Sequence, residues 1–556
     1  MITGIGVSRG VAVGPAAVVA RPVGPDPAEP PTTPATLSAA SSRVREALRD
    51  VAEGLRRRQD RAPDEAKPTL EAGAMMAGDP GLAGTIDDAL RTGAGVTRAV
   101  HDAVGQYADL LLSLGGYMAD RVADLLDVRD RVIARLRGLP EPGLPVLTVP
   151  SIVVARDLAS AETALLNPAL CLGLVTVEGG PTSHAAVLAS GLGIPAVVQA
   201  AGLVVENGTF VAIDGSTGQV VVDPTPAKRA EFRTRANQRA AVLASSDAPG
   251  ATRDGHRVAL LANIGTLTDA RVAAADAVEG VGLFRTEFLF LDRVDAPTVE
   301  EQTAAYAAVL RAFGARHVAI RTLDAGADKP LAFADLGPEP NPALGRRGLR
   351  LGMAREDILV TQLAALAAAY RETSADLSVM APMVATAAEA AWFAERVRAA
   401  GIPKVGVMIE VPAAALRARQ ILSEVDFASL GTNDLQQHTM AADRLAGELG
   451  ELLDPWQPAV LDVIAAACRG AAEAGRPIGV CGESAGDPGL ALVLVGLGAS
   501  SLSMAVQKVR AVRTVLAAHT LDQCRELAGL ARSAVGPQDA KAAVLAAARP
   551  VLRDVI

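Results

Sequence analysis

Eight short apolar runs recur after residue 250, and this recurrence restricts the possible folds more than any other feature of the chain. The segments between the runs are mostly rich in alanine and leucine, as helices are. The runs are RVALLAN, VEGVGLF, HVAIRT, LSVMAPM, KVGVMIE, FASLGTN, PIGVCG and SLSMAV. Alternating strands and helices of this kind build either a (β/α)8 barrel or a doubly wound open sheet.

The residues at the ends of the runs favour the barrel. Several runs finish on polar or reactive residues, namely Asn263, Arg285, Arg321, Glu410, Asn433 with Asp434, and Cys481. A barrel brings the carboxyl ends of all its strands to one mouth, where that fold carries its active site, whereas an open sheet would spread some of them along an edge. We therefore expect a C-terminal (β/α)8 barrel with these side chains at its mouth.

The first half of the chain has a different residue pattern. Residues 1–20 and 145–223 carry strand-like patterns, whereas residues 21–144 are dominated by alanine, leucine and arginine at helical spacing. This arrangement predicts one α/β domain with a helical subdomain inserted into it. Residues 224–250 predict a charged linker helix, and residues 251–556 form the predicted barrel domain.

Composition argues against two classes of protein. The 556 residues carry a formal net charge of −9, without a basic stretch that could follow a nucleic-acid backbone, so no nucleic-acid partner is expected. The longest uncharged stretch, from Pro488 to Val506, is interrupted by glycines and serines. It predicts a buried helix followed by a strand, and no membrane insertion is expected.

The cysteines and the N-terminus indicate the compartment. Four cysteines lie far apart, without the paired spacing of a zinc site or a disulfide framework. The first ten residues lack the basic region and apolar core of a secretory signal. We expect a cytoplasmic protein.

The motif GGPTSH ends on His184 at the predicted start of a helix. The first turn of a helix offers free N–H groups and a partial positive charge to a phosphate, and Gly179 and Gly180 would let the backbone approach it closely. Thr182 and Ser183 add hydroxyls or a helix cap. A neutral imidazole is nucleophilic near neutral pH. The motif alone leaves two interpretations equally open, a histidine that carries a phosphoryl group and one that only packs at a helix start.

Basic side chains near the run ends predict an anion-binding pocket. Guanidinium groups bind phosphate and carboxylate in bidentate fashion, although each of these residues could instead be structural, and Arg285 could simply pair with Glu287. The candidates are Arg285, Arg321, Lys329, Arg347 and Arg444.

Two carboxylates and a thiol complete the predicted pocket. Glu410 ends one run and Asp434 comes just after the next. A carboxylate pair facing a phosphate site suits Mg²⁺, which takes one or two protein carboxylates and fills its other positions with water and substrate oxygens. Cys481, between glycines at a run end, is either an inert buried thiol or a proton donor.

Seven segments occur in an order that resembles the Enzyme I family, the phosphoenolpyruvate-protein phosphotransferases of the bacterial sugar phosphotransferase system. The resemblance extends over nearly the whole chain. The segments are GGPTSHAAVLASGLGIPAVV, ANIGTLTDARVAAADAVEGVGLFRTEFLFLDR, IRTLDAGADKP, NPALGRRGLR, GVMIEVPAAA, GTNDLQQHTMAADR and GVCGESAGD.

The resemblance implies a two-site mechanism. Phosphoenolpyruvate would bind at the barrel mouth, with Mg²⁺ held by Glu410 and Asp434. His184 would attack the phosphorus and become phosphorylated on Nε2, and Cys481 would protonate the enolate to release pyruvate. The phosphorylated domain would then move away to its acceptor.

The resemblance also assigns binding residues and partners. Substrate contacts would come from Arg285, Arg321, Asn433, Asp434 and Arg444, and supporting roles would fall to Thr163, Lys329 and Arg347. Thr163 is expected to hydrogen-bond the phosphoacceptor ring. The implied acceptor is HPr, a small histidine phosphocarrier that docks on the helical subdomain, and the barrel domain is expected to form a homodimer.

Four positions depart from the family pattern without removing a residue assigned to chemistry: Ala325, Ala327, Arg346 and His438. Two alternative functions stay open. One is a relative of phosphoenolpyruvate synthase or pyruvate, phosphate dikinase, which is less favoured because those enzymes need a long nucleotide-binding region before the histidine domain. The other is a regulatory phosphohistidine protein without catalysis, against which the retained arginines, carboxylates and thiol weigh.

Overall fold

The structure, a computed structural model, forms two compact units, Met1–Asn237 and Gln238–Ile556. It describes residues 2–59, 67–114, 122–145, 147–158, 166, 169–180, 183–243, 247–291, 293–326, 331–334, 336–337, 339–373, 375–444 and 449–556. The mixed α/β architecture expected from the sequence is confirmed.

The first unit contains an eight-stranded mixed sheet in the order β1-β8-β7-β3-β4-β5-β6-β2. Its strands are β1 (Ile2–Thr3), β2 (Ile5–Ser8), β3 (Val11–Val18), β4 (Ser151–Ala155), β5 (Cys171–Thr176), β6 (Ala196–Val198), β7 (Phe210–Asp214) and β8 (Gln219–Val222). Strands β3 to β6 are parallel neighbours, and β7 and β8 form an antiparallel pair. The chain start therefore supplies both sheet edges and one inner strand.

Helices separate β3 from β4 in sequence. They are α1 (Leu37–Gln59), α2 (Lys67–Ala77), α3 (Pro80–Arg91), α4 (Val96–Leu114) and α5 (Val122–Leu136). In α1 the residues Val44, Leu48, Val51 and Leu55 recur every three or four positions and are buried, which gives the helix one apolar face for the others to cover. Two further helices follow, α6 (His184–Leu192) and α7 (Pro226–Leu243).

The second unit contains a closed parallel barrel, so the barrel prediction is confirmed and the open sheet is excluded. Its strands are β9 (Ala259–Ile264), β10 (Gly280–Arg285), β11 (His317–Arg321), β12 (Asp376–Ala381), β13 (Lys404–Ile409), β14 (Phe427–Leu430), β15 (Ile478–Val480) and β16 (Ser501–Met504). Each strand pairs with the next, and β16 closes the ring by pairing with β9. Branched and aliphatic residues dominate these strands, as expected for strands covered on both faces.

Helices surround the barrel and extend beyond its last strand. They are α8 (Leu267–Ala275), α9 (Val299–Phe313), α10 (Leu349–Ala354), α11 (Glu356–Arg371), α12 (Ala387–Ala399), α13 (Pro412–Leu416), α14 (Ala418–Leu422), α15 (Thr432–Met440), α16 (Pro458–Ala474), α17 (Pro488–Leu497), α18 (Val506–Ala518), α19 (Leu521–Arg532), α20 (Pro537–Ala547) and α21 (Val551–Val555). The uncharged stretch forms α17 and β16, as predicted. Within the described residues, no helix combines the length and apolarity that a membrane crossing requires.

The sixth apolar run ends earlier than predicted. Strand β14 stops at Leu430, and Thr432 begins helix α15, so Asn433 and Asp434 lie in the first turn of a helix rather than at a strand end. The start of α15 packs closely against the loop after β15, because a Cβ atom added at Gly482 would lie only 1.8 Å from the Thr432 hydroxyl oxygen.

Two glycines on packed helices are expected to respond oppositely to alanine. A Cβ atom at Gly496 of α17 would lie 2.0 Å from the Cys524 carbonyl oxygen, whereas Gly529 of α19 has no neighbour within 4 Å. Gly496→Ala should lower the free energy of unfolding by about 1 to 3 kcal/mol through overpacking. Gly529→Ala should raise it by about 0.5 to 1 kcal/mol through helix propensity. Thermal unfolding of the two variants checks both signs, and an unchanged midpoint for Gly496→Ala would contradict the close packing.

Candidate active site

The predicted residues of the second unit gather at the carboxyl ends of neighbouring barrel strands. Arg285 and Arg321 are the last residues of β10 and β11, Glu410 directly follows β13, and Cys481 directly follows β15. Asp434 joins them from the first turn of α15. This is the end of the barrel at which enzymes of this fold carry their active sites.

Ion pairs connect the buried members of the cluster into a chain. Arg321 donates from Nη2 to Glu287 Oε1 at 2.8 Å, and its Nη1 forms an ion pair with Asp324 Oδ2 at 3.1 Å. Arg347 donates from Nε and Nη2 to the two carboxylate oxygens of Asp324 at 3.2 and 3.1 Å. Nη1 of Arg347 reaches Asp434 Oδ1 at 3.2 Å.

Arg321 remains charged although it is buried. Burial alone would lower the pKa of Arg321, but the carboxylates of Glu287 and Asp324 outweigh that effect and raise it above its ordinary value. Arg347 is only 1% exposed and has carboxylates on both sides. Arg444 is partly exposed, and its Nη1 lies 3.6 Å from Asp434 Oδ1. The mouth of the barrel is therefore rich in cations fixed by carboxylates.

Glu410 is a buried carboxyl group with one unsatisfied oxygen. Its Oε1 accepts a hydrogen bond from the Met383 amide at 2.6 Å, whereas its buried Oε2 has no partner among the described residues. Burial, followed by repulsion from Asp434 and Asp324, raises the pKa of Glu410 to about 8. A buried carboxylate with an unused oxygen near two other carboxylates is an arrangement that a cation would stabilise.

The thiol of Cys481 lies in an apolar pocket with Leu283, Met380 and Met408. Its Sγ lies 3.6 Å from the Leu430 carbonyl oxygen, and its own carbonyl accepts a hydrogen bond from Asn263 Nδ2 at 3.0 Å. Burial raises the pKa of the Cys481 thiol to about 11, so the group is protonated at neutral pH.

Two predicted substrate contacts lie at the open side of the cluster. Arg285 is exposed, and no described residue forms a hydrogen bond or ion pair with its guanidinium. Glu287, which the sequence left open as its partner, binds Arg321 instead. Asn433 accepts a hydrogen bond from the Glu483 amide at 3.2 Å.

The departures from the family pattern have local explanations. Arg346 is half exposed and donates from Nε to Glu339 at 2.8 Å, away from the buried ion pairs. The Nδ1 atom of His438 lies 2.9 Å from the Glu410 carbonyl oxygen; a carbonyl only accepts, so Nδ1 carries the proton. Ala325 is buried in an apolar cluster with Phe290.

In the first unit, His184 is the first residue of helix α6, as predicted. Ser183 caps the helix, its Oγ accepting a hydrogen bond from the Ala186 amide at 3.4 Å, and Gly179 has a φ of +84°, which favours glycine. Thr163, Thr182, Ala327 and Lys329 lie outside the described residues.

Sequence reasoning missed Asp324 and considered Glu287 only as a partner of Arg285. Both carboxylates bind arginines that were singled out, and Asp324 is fully buried. Their positions in the sequence could have indicated a place at the barrel mouth. Asp324 lies three residues beyond Arg321 and Glu287 lies two beyond Arg285, each just past a strand end.

Comparisons with known proteins agree with this geometry. Three family models match: the PEP-binding domain of PEP-utilising enzymes over residues 239–521, their mobile domain over 147–218 and their N-terminal domain over 3–121. The first of these covers the whole barrel and the cluster at its mouth.

Curated relatives match along almost their entire length. The phosphoenolpyruvate-protein phosphotransferase of Streptomyces coelicolor is 50% identical over 98% of this chain and 98% of its own. The protein of that name from Haloferax volcanii is 39% identical over 87% of this chain and 88% of its own, and that from Bacillus subtilis 35% identical over 92% and 93%. With these matches, the chain belongs to the phosphoenolpyruvate-protein phosphotransferase (Enzyme I) family of PEP-utilising enzymes.

Proposed function

We propose that the protein transfers the phosphoryl group of phosphoenolpyruvate to His184 and then to a histidine of an HPr phosphocarrier, as the first step of sugar uptake by the phosphotransferase system. The observation that carries this proposal is the chain of buried arginines and carboxylates at the barrel mouth, which provides fixed positive charge for an anionic substrate. The names of the relatives support the choice of substrate.

Substrate binding is assigned to the cations of the cluster. Arg285, Arg321 and Arg444 would bind the phosphate and carboxylate groups of phosphoenolpyruvate, since guanidinium groups match both anions in bidentate geometry. Asn433 and Asp434 would complete the contacts. Arg347, buried between two carboxylates, is better suited to support than to direct contact, and Lys329 is proposed as a further supporting group.

PEP-utilising enzymes are metal-dependent, and we assign Mg²⁺ to Glu410 and Asp434. A bound cation would stabilise the unpartnered oxygen of Glu410 and the charged form of its carboxyl, whose pKa is raised. The described residues include no group of three or more histidine, cysteine or acidic side chains that could enclose a metal. Two carboxylates suffice for Mg²⁺, which keeps waters and substrate oxygens. When bound, the ion would neutralise charge on the phosphoryl oxygens.

The protein's own groups would carry the chemistry in two steps. Nε2 of His184 attacks phosphorus in line; the N–P bond forms as the bond to the enol oxygen breaks, and the electron pair of that bond leaves with enolpyruvate. The Cys481 thiol then gives its proton to the terminal carbon of the enolate, which yields pyruvate, and the resulting thiolate regains a proton from solvent. Thr163 would orient the His184 ring.

The remaining assignments concern domains and partners. We propose that residues 1–20 and 145–223 form the phosphohistidine domain, that residues 21–144 bind HPr and that residues 224–250 link them to the barrel of residues 251–556. The barrel domain would form the homodimer, and the protein would act in the cytoplasm.

Labelling with phosphoenolpyruvate that carries radioactive phosphorus tests the function. The full-length protein with Mg²⁺ should acquire acid-labile, base-stable phosphate and release one pyruvate per phosphate, and excess EDTA should reduce both to background. Adding an HPr protein should move the label to it. Label without pyruvate would indicate a different reaction, and a protein that is never labelled would instead support the regulatory alternative.

A further inference from the structure

One buried carboxylate joins two arginines of the site. Asp324 lies three residues after β11 and is fully buried. Its Oδ2 is 3.1 Å from both Arg321 Nη1 and Arg347 Nη2, and its Oδ1 accepts from Arg347 Nε at 3.2 Å. The two guanidinium groups are thus fixed relative to each other by a single side chain.

The backbone around Asp324 holds its carboxylate in place. Its amide donates to Glu287 Oε1 at 2.9 Å, and Glu287 is also the second partner of Arg321. Gly326, two residues after Asp324, packs against Arg347, because a Cβ atom added at Gly326 would lie 3.0 Å from the Arg347 Cα and Cβ atoms. The loop after β11 is therefore fitted closely to the arginine that Asp324 binds.

These contacts determine which donors remain for a substrate. Glu287 and Asp324 each pair with one terminal nitrogen of Arg321, which keeps a second N–H on each of these nitrogens, and its buried Nε has no hydrogen-bond partner among the described residues. Arg347, the second arginine bound by Asp324, also donates a 3.2 Å hydrogen bond to Asp434. A change at Asp324 would therefore reach both an arginine assigned to the substrate and a carboxylate assigned to the metal.

We propose that Asp324 is a positioning residue for phosphoenolpyruvate, which sets the orientation of Arg321 and Arg347 before the substrate arrives. This inference rests on the proposed function. Preorganised charge matters because reorienting buried arginines during the reaction would consume the stabilisation that they provide to the transferring phosphoryl group.

The test compares Asp324→Asn with Asp376→Asn in the full-length protein. Asparagine keeps the shape of the side chain and removes its charge. Asp376 lies in the same barrel and pairs with Lys404 at 2.8 Å, but it begins β12 and so lies at the opposite end of the strands. We expect Asp324→Asn to raise the KM for phosphoenolpyruvate about tenfold or more and to lower kcat for pyruvate release. Asp376→Asn should leave both within twofold of wild type.

Stability and binding measurements separate the possible causes. Thermal midpoints of the variants report any structural loss, and calorimetric titration with phosphoenolpyruvate and Mg²⁺ reports binding without turnover. A folded Asp324→Asn protein with wild-type KM and kcat overturns the inference, as does an equal rise of KM in Asp376→Asn. If Asp324→Asn does not fold, Asp324→Glu replaces it, and wild-type constants in that variant overturn the inference because the longer side chain must shift both arginines.

The same titration distinguishes failure of the inference from failure of the proposed function. A wild-type protein that binds phosphoenolpyruvate but releases no pyruvate contradicts the function, and the ratio of the binding constants of wild type and Asp324→Asn then still decides the role of Asp324. A wild type that binds none of this ligand overturns both.

Discussion

A His184→Ala variant incubated with labelled phosphoenolpyruvate and Mg²⁺ is expected to acquire no acid-labile phosphate and to release pyruvate only at background rate. The imidazole is the proposed acceptor, and alanine at the start of α6 leaves the helix and its Ser183 cap in place. The loss should therefore be complete without loss of folding. Scintillation counting of precipitated protein and a coupled pyruvate assay measure the two quantities.

His256→Ala provides the matched control. His256 is exposed in the second unit, and its described hydrogen bonds with Thr252 use backbone atoms of His256, which survive the substitution. This variant should be labelled like wild type. Label that persists in His184→Ala would place the phosphoacceptor on another residue and end the two-step scheme.

Cys481→Ala is expected to separate the two steps of the reaction. Phosphoryl transfer to His184 should continue in a single turnover, because the thiol contributes no charge to it. Pyruvate formation should fall by about 100-fold or more, the usual contribution of a positioned general acid, since the enolate must then take its proton from solvent. Rapid quenching followed by separate measurement of phosphoprotein and pyruvate resolves the two rates.

The pH profile gives an independent check of this role. The proton donor is the protonated thiol, so donation is lost as the pH rises through the pKa of the thiol. Burial places that pKa at about 11 rather than the ordinary 9.0. Pyruvate release by the wild type should therefore not decline with an apparent pKa near 9. A decline near pH 9 that is absent from Cys481→Ala would contradict the raised pKa of the thiol. Cys468→Ala removes a similarly buried thiol in α16 and should leave the release rate unchanged.

The sequence was sufficient to predict the barrel and most of its mouth. Each of the eight apolar runs overlaps one of the eight strands, with β9, β10 and β12 extending one residue beyond their runs, and Arg285, Arg321, Glu410 and Cys481 lie at or just beyond strand ends as expected. These successes share one cause: the carboxyl ends of parallel strands meet, so a local pattern predicts a spatial neighbourhood.

The sequence predictions failed where a residue's partner is distant in sequence, or where the backbone changes from strand to helix within one residue. Nothing near Glu287 indicates that it binds Arg321, 34 positions away, rather than Arg285. The division of residues 2–18 among both sheet edges and an inner strand depends on pairing with residues 152–154, 196–198 and 210–220. At the change from β14 to α15, Gly431 leaves space for Glu410, which is distant in sequence and whose Oε2 would lie 2.5 Å from an added Cβ.

The pairing of β16 with β9 also has a consequence for synthesis of the chain on the ribosome. Ser501 must pair with Ala259, so the ring stays open until residues far down the chain have left the exit tunnel. Until then β9 and β15 each present an uncovered backbone edge, which can template intermolecular association. Long-range parallel pairing also folds slowly. Nascent chains truncated before Ser501 should therefore depend on chaperones, and those extended beyond Met504 should become protease-resistant.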